Sequence, residues 1–282
     1  MLSGRTTALL SAAVMLFGAP ALAQSTDQAT EISAEEITRT VKTMTLDQFE
    51  GRAPGTAGED RTIGYLIGRF EALGLEPGGV DGSWTQPVPL LHTALGKPET
   101  LSITSKGKAT ALNAGNDIYV STLQPRDRVT VEDADMVFVG YGVTAPERGW
   151  DDFKDVDLKG KVAVFLVNDP DFAAAPDEPV AGTFGGRAMT YYGRWTYKFE
   201  EAARRGASAA LIIHETEAAG YGWSVVESPQ GENYGIAKPD GEMTSLALQG
   251  WISGETATKL FDEAGLDLAS LRAAARSKDF KP

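Results

Sequence analysis

The sequence predicts an α/β (α+β) chain, and three observations carry that prediction. Val162–Val167 and Ala209–Ile213 are short, uninterrupted apolar runs of strand length, the signature of strands buried on both faces. Between them, Trp195–Arg205 has helical periodicity and ends at Gly206. Upstream, residues 33–73 read as two amphipathic helices joined by a glycine-rich loop.

The chain opens on a segment that reads as a secretory signal. Arg5 is its one charge, Ala8–Phe17 is a short apolar run, and Ala21-Leu22-Ala23 forms a small-x-small cleavage site. The run is well short of the ~20 apolar residues that span a bilayer, so cleavage after Ala23 is expected rather than anchoring. No membrane insertion is expected once residues 1–23 are removed, and the expected location is periplasmic or secreted. The full chain has 282 residues and a formal net charge of −13. So acidic a surface repels phosphate backbones, and no nucleic-acid partner is expected. Cysteine is absent, so neither disulfides nor thiol catalysis is available.

Taken in order, Ser33 is placed to cap the first helix, with Glu36 reaching back and Ile32 stapling onto Ile37; Ile37, Val41 and Met44 share one face. A second helix is expected at about 59–73, with Ile63, Leu66, Ile67 and Phe70 on one stripe and Gly74 at its end. Trp84, Val88, Leu90 and Leu91 suggest a strand that Pro87 and Pro89 confine to an edge. Leu101 with Ile103, and then Met136–Val139, read as further strands. Asp151–Asp157 is an acidic surface loop before the Val162–Val167 strand. Residues 168–186 hold three prolines and three glycines, which predicts a long irregular loop of the kind that is often functional. On the helix that follows, Trp195, Phe199, Ala202 and Ala203 are expected inside, with Glu200/Arg204 and Glu201/Arg205 as ion pairs on the wet side. Ser245–Trp251 reads as a last strand, and Gly254–Ala264 and Leu268–Ala274 as closing helices.

Two stretches carry a family resemblance. Asp155-Val156-Asp157-Leu158-Lys159-Gly160-Lys161 leading into Val162–Val167, followed by Phe199–Gly206 and Ala207–Ile213, resembles the protease-associated domain inserted in many exported peptidases. Phe49-Glu50-Gly51-Arg52-Ala53-Pro54-Gly55-Thr56-Ala57-Gly58 resembles the opening of the zinc aminopeptidases related to aminopeptidase Y and glutamate carboxypeptidase. The resemblance implies a signal at 1–23, a helical segment of an incomplete α/β peptidase domain at 24–94, a β-rich protease-associated domain with flanking helices at 95–270, and a tail at 271–282. It also implies that the metal-binding catalytic half lies outside this chain, which is then inactive alone and contributes substrate-cleft or interaction surface. Peptide or protein substrate and the missing peptidase half are the partners so implied, with zinc held only by that half and no cofactor in this chain. The alternative is a stand-alone exported module that binds peptide or protein.

No catalytic or metal-binding residue is assigned. His92 and His214 both end strands, and neither has an acid at the His-x-Asp spacing that the resembled family uses. No Gly-x-Ser-x-Gly elbow occurs. Gly140-Tyr141-Gly142-Val143-Thr144-Ala145 matches the dinucleotide fingerprint in letters, but Pro146 and Gly149 follow where a helix must begin. Asp155-x-Asp157-x-Lys159-Gly160 has a lysine at a calcium-ligand position and Leu166 where a glutamate is needed. The candidate binding residues are Arg187, Tyr191, Tyr192 and Arg194, at the exit of the irregular loop. Arginine forks and tyrosine hydroxyls suit a carboxylate or peptide backbone, and the resemblance implies a place on a substrate wall. Against that, Tyr191 and Trp195 stand at helical spacing, which favours their packing as core anchors while the arginines pair with local acids.

Overall fold

A computed structural model describes residues 32–96, 101–237 and 246–282. The chain divides into two compact units, at Gln86/Pro87. It is mixed α/β, as the sequence predicts.

The first unit is helical. Helix α1, Ala34–Met44, starts at Ser33, whose Oγ accepts the Glu36 N–H at 3.3 Å. The reciprocal half of the expected capping box does not form. The Glu36 carboxylate turns instead to Arg39 at 2.6 Å and to Arg69 at 2.8 Å, tying α1 to helix α2, Ala57–Ala72. Ile32 and Ile37 are both exposed, so the expected staple contributes no buried contact. Helix α2 ends in a Schellman cap: Gly74 sits at φ +75°, the Leu75 N–H reaches Phe70 O and the Gly74 N–H reaches Glu71 O. Phe49 is the one buried large side chain among the described residues of this unit, and Ile63, Leu66 and Ile67 are only half-buried.

The second unit is built on a five-stranded sheet, ordered β4-β11-β9-β8-β5. Strands β5 (Met136–Phe138), β8 (Val162–Leu166), β9 (Ala209–His214) and β11 (Leu248–Ser253) are parallel; β4 (Ile118–Ser121) closes one edge antiparallel to β11. Alternation along the central strands feeds two cores. Val162, Val164, Leu166, Leu211 and Ile213 face helices α6 (Gly254–Ala264) and α7 (Leu268–Ala274). Ala163, Phe165, Val167, Ala210 and Ile212 face helix α3 (Trp195–Arg204), whose Phe199 and Ala202 join that core. Covering on both faces is why these strands are apolar without interruption.

Three small pairings complete the unit. Strand β1, Leu90–Ala94, pairs with β10, Glu232–Ile236; β2, Ser102–Ser105, with β3, Lys108–Ala111; and β6, Thr144–Ala145, with β7, Trp150–Asp151. The strand expected from Trp84 therefore starts later. It belongs to the second unit, because its partner lies some 140 residues on, a distance that local pattern cannot encode. The residues expected as a tail from 271 are packed as well, with Ala275 and Phe280 buried in the core under α6 and α7. The start of the strand expected at Ser245 lies outside the described residues. Among the described residues, no helix is long and apolar enough to cross a membrane.

Candidate functional site

The irregular segment between β8 and α3 is the part of the second unit that differs most from a plain sheet-and-helix layer. It leaves the carboxyl end of a buried parallel strand, where ligands of open α/β sheets bind. Its two ends are zipped together: the Asn168 N–H donates to Gly193 O at 3.1 Å, and a Cβ at Gly193 would lie 3.0 Å from the Asn168 carbonyl carbon. Inside this closure, short backbone turns and buried carboxylates rather than a strand ladder satisfy the backbone. Asp169 accepts the Thr190 N–H at 2.6 Å and its hydroxyl at 2.7 Å. Asp171 accepts the N–H groups of Phe184 at 2.8 Å and Gly186 at 3.2 Å. Both carboxylates are buried.

Lys198, one turn into α3, is wholly buried beneath this segment. Its Nζ donates to Tyr141 O at 2.6 Å, Asn168 O at 3.2 Å and Tyr192 O at 3.2 Å. Burial pushes the ammonium down to about 8, against the pull of Asp169 and Asp152. Asp152 is buried nearby, accepting the Val143 N–H at 2.9 Å and Trp150 Nε1–H at 2.8 Å. Burial pushes its carboxyl up to about 7, against those two donors and the Lys198 charge. Both functional sites and structural ion networks perturb groups in this way, so geometry decides between them. Here the ammonium spends its three donors on three carbonyls and has no path to solvent, so it cannot act as a nucleophile or base.

Of the four sequence-predicted residues, all reach the surface. Tyr191 OH donates to Glu200 at 2.5 Å, and Tyr192 OH to Glu147 at 2.9 Å. Arg187 pairs with Glu217 at 3.1 Å and lies over the Phe172 ring. Arg194 is exposed and has no ion-pair or hydrogen-bond partner among the described residues for its guanidinium. Tyr191, Tyr192 and Arg194 adjoin along one stretch, whereas Arg187 is held by a different acid on helix α4, Thr216–Ala219.

The packing alternative fails for its two anchors. Tyr191 is 53% exposed and Trp195 is 45% exposed. The buried face of α3 is instead Tyr197, Lys198, Phe199, Glu201 and Ala202. Glu201, placed by its sequence spacing on the wet side, is buried; it binds Arg204 at 2.6 Å, Arg205 at 2.8 Å and the Thr144 hydroxyl at 3.1 Å. The helix is rotated relative to its apolar stripe because its buried charges are fully paired, which removes the reason to expose them. Lys198, Asp152, Asp169 and Asp171 were not singled out by sequence reasoning. The available signals were Asn168-Asp169-Pro170-Asp171 directly after an all-apolar strand, and a lysine between Tyr197 and Phe199.

Neither histidine stands in a ligand set. His92 stacks on Tyr234 with Glu232 at 3.7 Å, and His214 Nε2 lies 3.0 Å from Tyr221 O among Tyr221, Trp223 and Trp251. Among the described residues no three His, Asp or Glu side chains converge to hold a metal ion. After Gly142 the chain passes into β6 and a single 3-10 turn at Pro146–Arg148, so no helix N-terminus faces the glycine motif.

No family model matches the sequence, and no curated protein matches it. Among solved structures, an aminopeptidase from Aneurinibacillus sp. strain AM-1 is similar at 18% identity with a TM-score of 0.35, over 86% of this chain. The chain spans 41% of that aminopeptidase. So distant a likeness carries no argument about this chain's chemistry.

Proposed function

We propose that this chain is the N-terminal and protease-associated portion of an exported zinc aminopeptidase, without hydrolytic activity of its own, and that it offers polypeptide a surface formed by Tyr191, Tyr192, Arg194 and Trp195. The periplasmic or secreted location and the zinc-bearing partner half belong to the same proposal and rest on the signal pattern and the sequence resemblance. The observation that carries the surface is its combination of exposed aromatics and an unpaired arginine on a segment fixed from beneath by buried carboxylates. Aromatic side chains present large contact area at low entropic cost, and a free guanidinium adds charge-assisted hydrogen bonds to carboxylate or carbonyl.

The second reading, a stand-alone binding module, is favoured by the second unit's sheet, which is covered on both faces by its own helices. Both readings predict peptide binding, and only the first predicts that a separate zinc-bearing half restores hydrolysis. Fluorescence anisotropy of the mature chain with labelled short peptides tests the surface. Joint Tyr191→Ala and Arg194→Ala substitution is expected to weaken binding by about tenfold or more, while Lys108→Ala, on the exposed β2–β3 hairpin, leaves it unchanged. No binding by the unaltered chain, or equal binding by the double variant, overturns the reading.

A further inference from the structure

The 184–194 segment bears the proposed surface, yet it has no ladder partner of its own. Its inner side is held at a few points: Phe184 and Gly186 by Asp171, Thr190 by Asp169, Gly193 by the Asn168 N–H, and Tyr192 by Lys198. The Lys198 contact is unlike the others, because it joins three separate stretches of chain. Tyr141 O belongs to the exit of β5, Asn168 O to the turn after β8, and Tyr192 O to the surface segment itself. Among the described residues Lys198 is the donor that each of these three carbonyls has.

We propose that Lys198 is the positioning residue of the surface: its buried ammonium gathers the carbonyls of Tyr141, Asn168 and Tyr192 and so fixes the orientation in which Tyr191, Arg194 and Trp195 are presented. What that surface binds rests on the proposed function; the positioning role does not. An ammonium has three donors on one atom and matches three converging acceptors, which a planar guanidinium cannot do. An aliphatic side chain would fill the space and leave the buried carbonyls of Tyr141 and Asn168 and the part-buried one of Tyr192 without their donor. Asp169, joined by Asp152 once that carboxyl ionises, supplies the negative charge that keeps the ion in place. The sheet needs none of this, because its strands pair with one another and its two cores are apolar. Losing the ammonium therefore loosens the segment and spares the sheet.

Hydrogen exchange on the full mature chain tests this. In Lys198→Met, amides of 184–194 are expected to exchange about tenfold faster or more, while those of β8 and β9 keep their protection. The chain has no native cysteine, so Lys198→Cys can be alkylated uniquely in denaturant and refolded. An S-aminoethyl group restores the ammonium at nearly the original length; S-propyl supplies the same shape without donors. Aminoethylation is expected to restore protection of 184–194, and propylation is not. Unchanged protection in folded Lys198→Met, or equal restoration by the two adducts, overturns the proposal. If Lys198→Met fails to fold, the adducts still decide: a propyl form that refolds and matches the aminoethyl form in protection of 184–194 sinks the idea, and so does refolding of the aminoethyl form alone, because the sheet itself would then need the ammonium. Absence of peptide binding by the unaltered chain would remove the functional reading and leave the exchange result standing.

Discussion

Gly142 offers the sharpest test of how the glycine motif after β5 is used. Its φ is +60°, and a Cβ there would come within 3.0 Å of Phe165 ring carbons and to 3.3 Å of Phe153 Cζ. Both rings are fully buried on the α3 side of the sheet. In Gly142→Ala, the left-handed backbone costs about 1–2 kcal/mol and the overpacking about 1–3 kcal/mol. A stiffer unfolded chain returns about 0.4–1 kcal/mol. The net loss is roughly 2–4 kcal/mol, or a fall in melting temperature of roughly 5–15 °C for a domain of this size. Gly160→Ala is the control, with φ +74° and nothing within 4 Å of the added carbon. It carries the backbone cost alone, a net of about 1 kcal/mol. Thermal unfolding followed by far-UV circular dichroism reads both variants. If Gly142→Ala loses no more than Gly160→Ala, close packing is not the reason for glycine at this position.

Asp152 holds its proton in the folded chain up to about 7, against 3.8 for the ordinary carboxyl, so the folded state binds the extra proton between those values. Its contribution to stability therefore falls as pH rises from about 4 to 7, by at most about 4 kcal/mol. Asp152→Asn should accordingly be more destabilising, relative to the unaltered chain, at low pH than at neutral pH in urea titrations; a pH-independent difference contradicts this. Glu201→Ala removes a buried carboxylate but leaves Arg204 and Arg205 with access to solvent, and should cost about 1.5–3 kcal/mol, whereas Glu200→Ala, an exposed partner 3.8 Å from Arg204, should cost less than about 1 kcal/mol. Comparable losses from the two would mean that Glu201 is not buried as described. Limited proteolysis should cut first between about Gln24 and Gly96, because few described side chains of the first unit are buried, and leave a resistant core of the second unit. A resistant fragment mapping to residues 33–86 would refute that order.

The sequence determined the elements whose cause is local. Ser33 and Thr56 cap helices because a short side-chain oxygen can reach an amide three residues on. Helices α6 and α7 begin and end where their caps and periodicity place them, with Ser253, Asp267 and the left-handed Gly265 at the boundaries. The Val162–Leu166 and Ala209–His214 strands were legible because burial on both faces demands apolar residues at every position. The irregular loop marked Arg187, Tyr191, Tyr192 and Arg194 as candidates, but helical spacing favoured packing Tyr191 and Trp195 in the core, and their exposure was legible only in the structure.

Only the tertiary structure decided what pairs across distance. Strand β10 and its pairing with β1, the antiparallel edge strand β4 and the packing of Phe280 all depend on partners far away in the chain. The same holds for the rotation of α3. Polarity predicts that Lys198 and Glu201 face water, and they are buried because carbonyls, carboxylates and guanidiniums from other segments meet them there. A charged side chain is expelled or enclosed according to whether its counter-groups arrive, and that arrival is a property of the fold rather than of any local window of sequence.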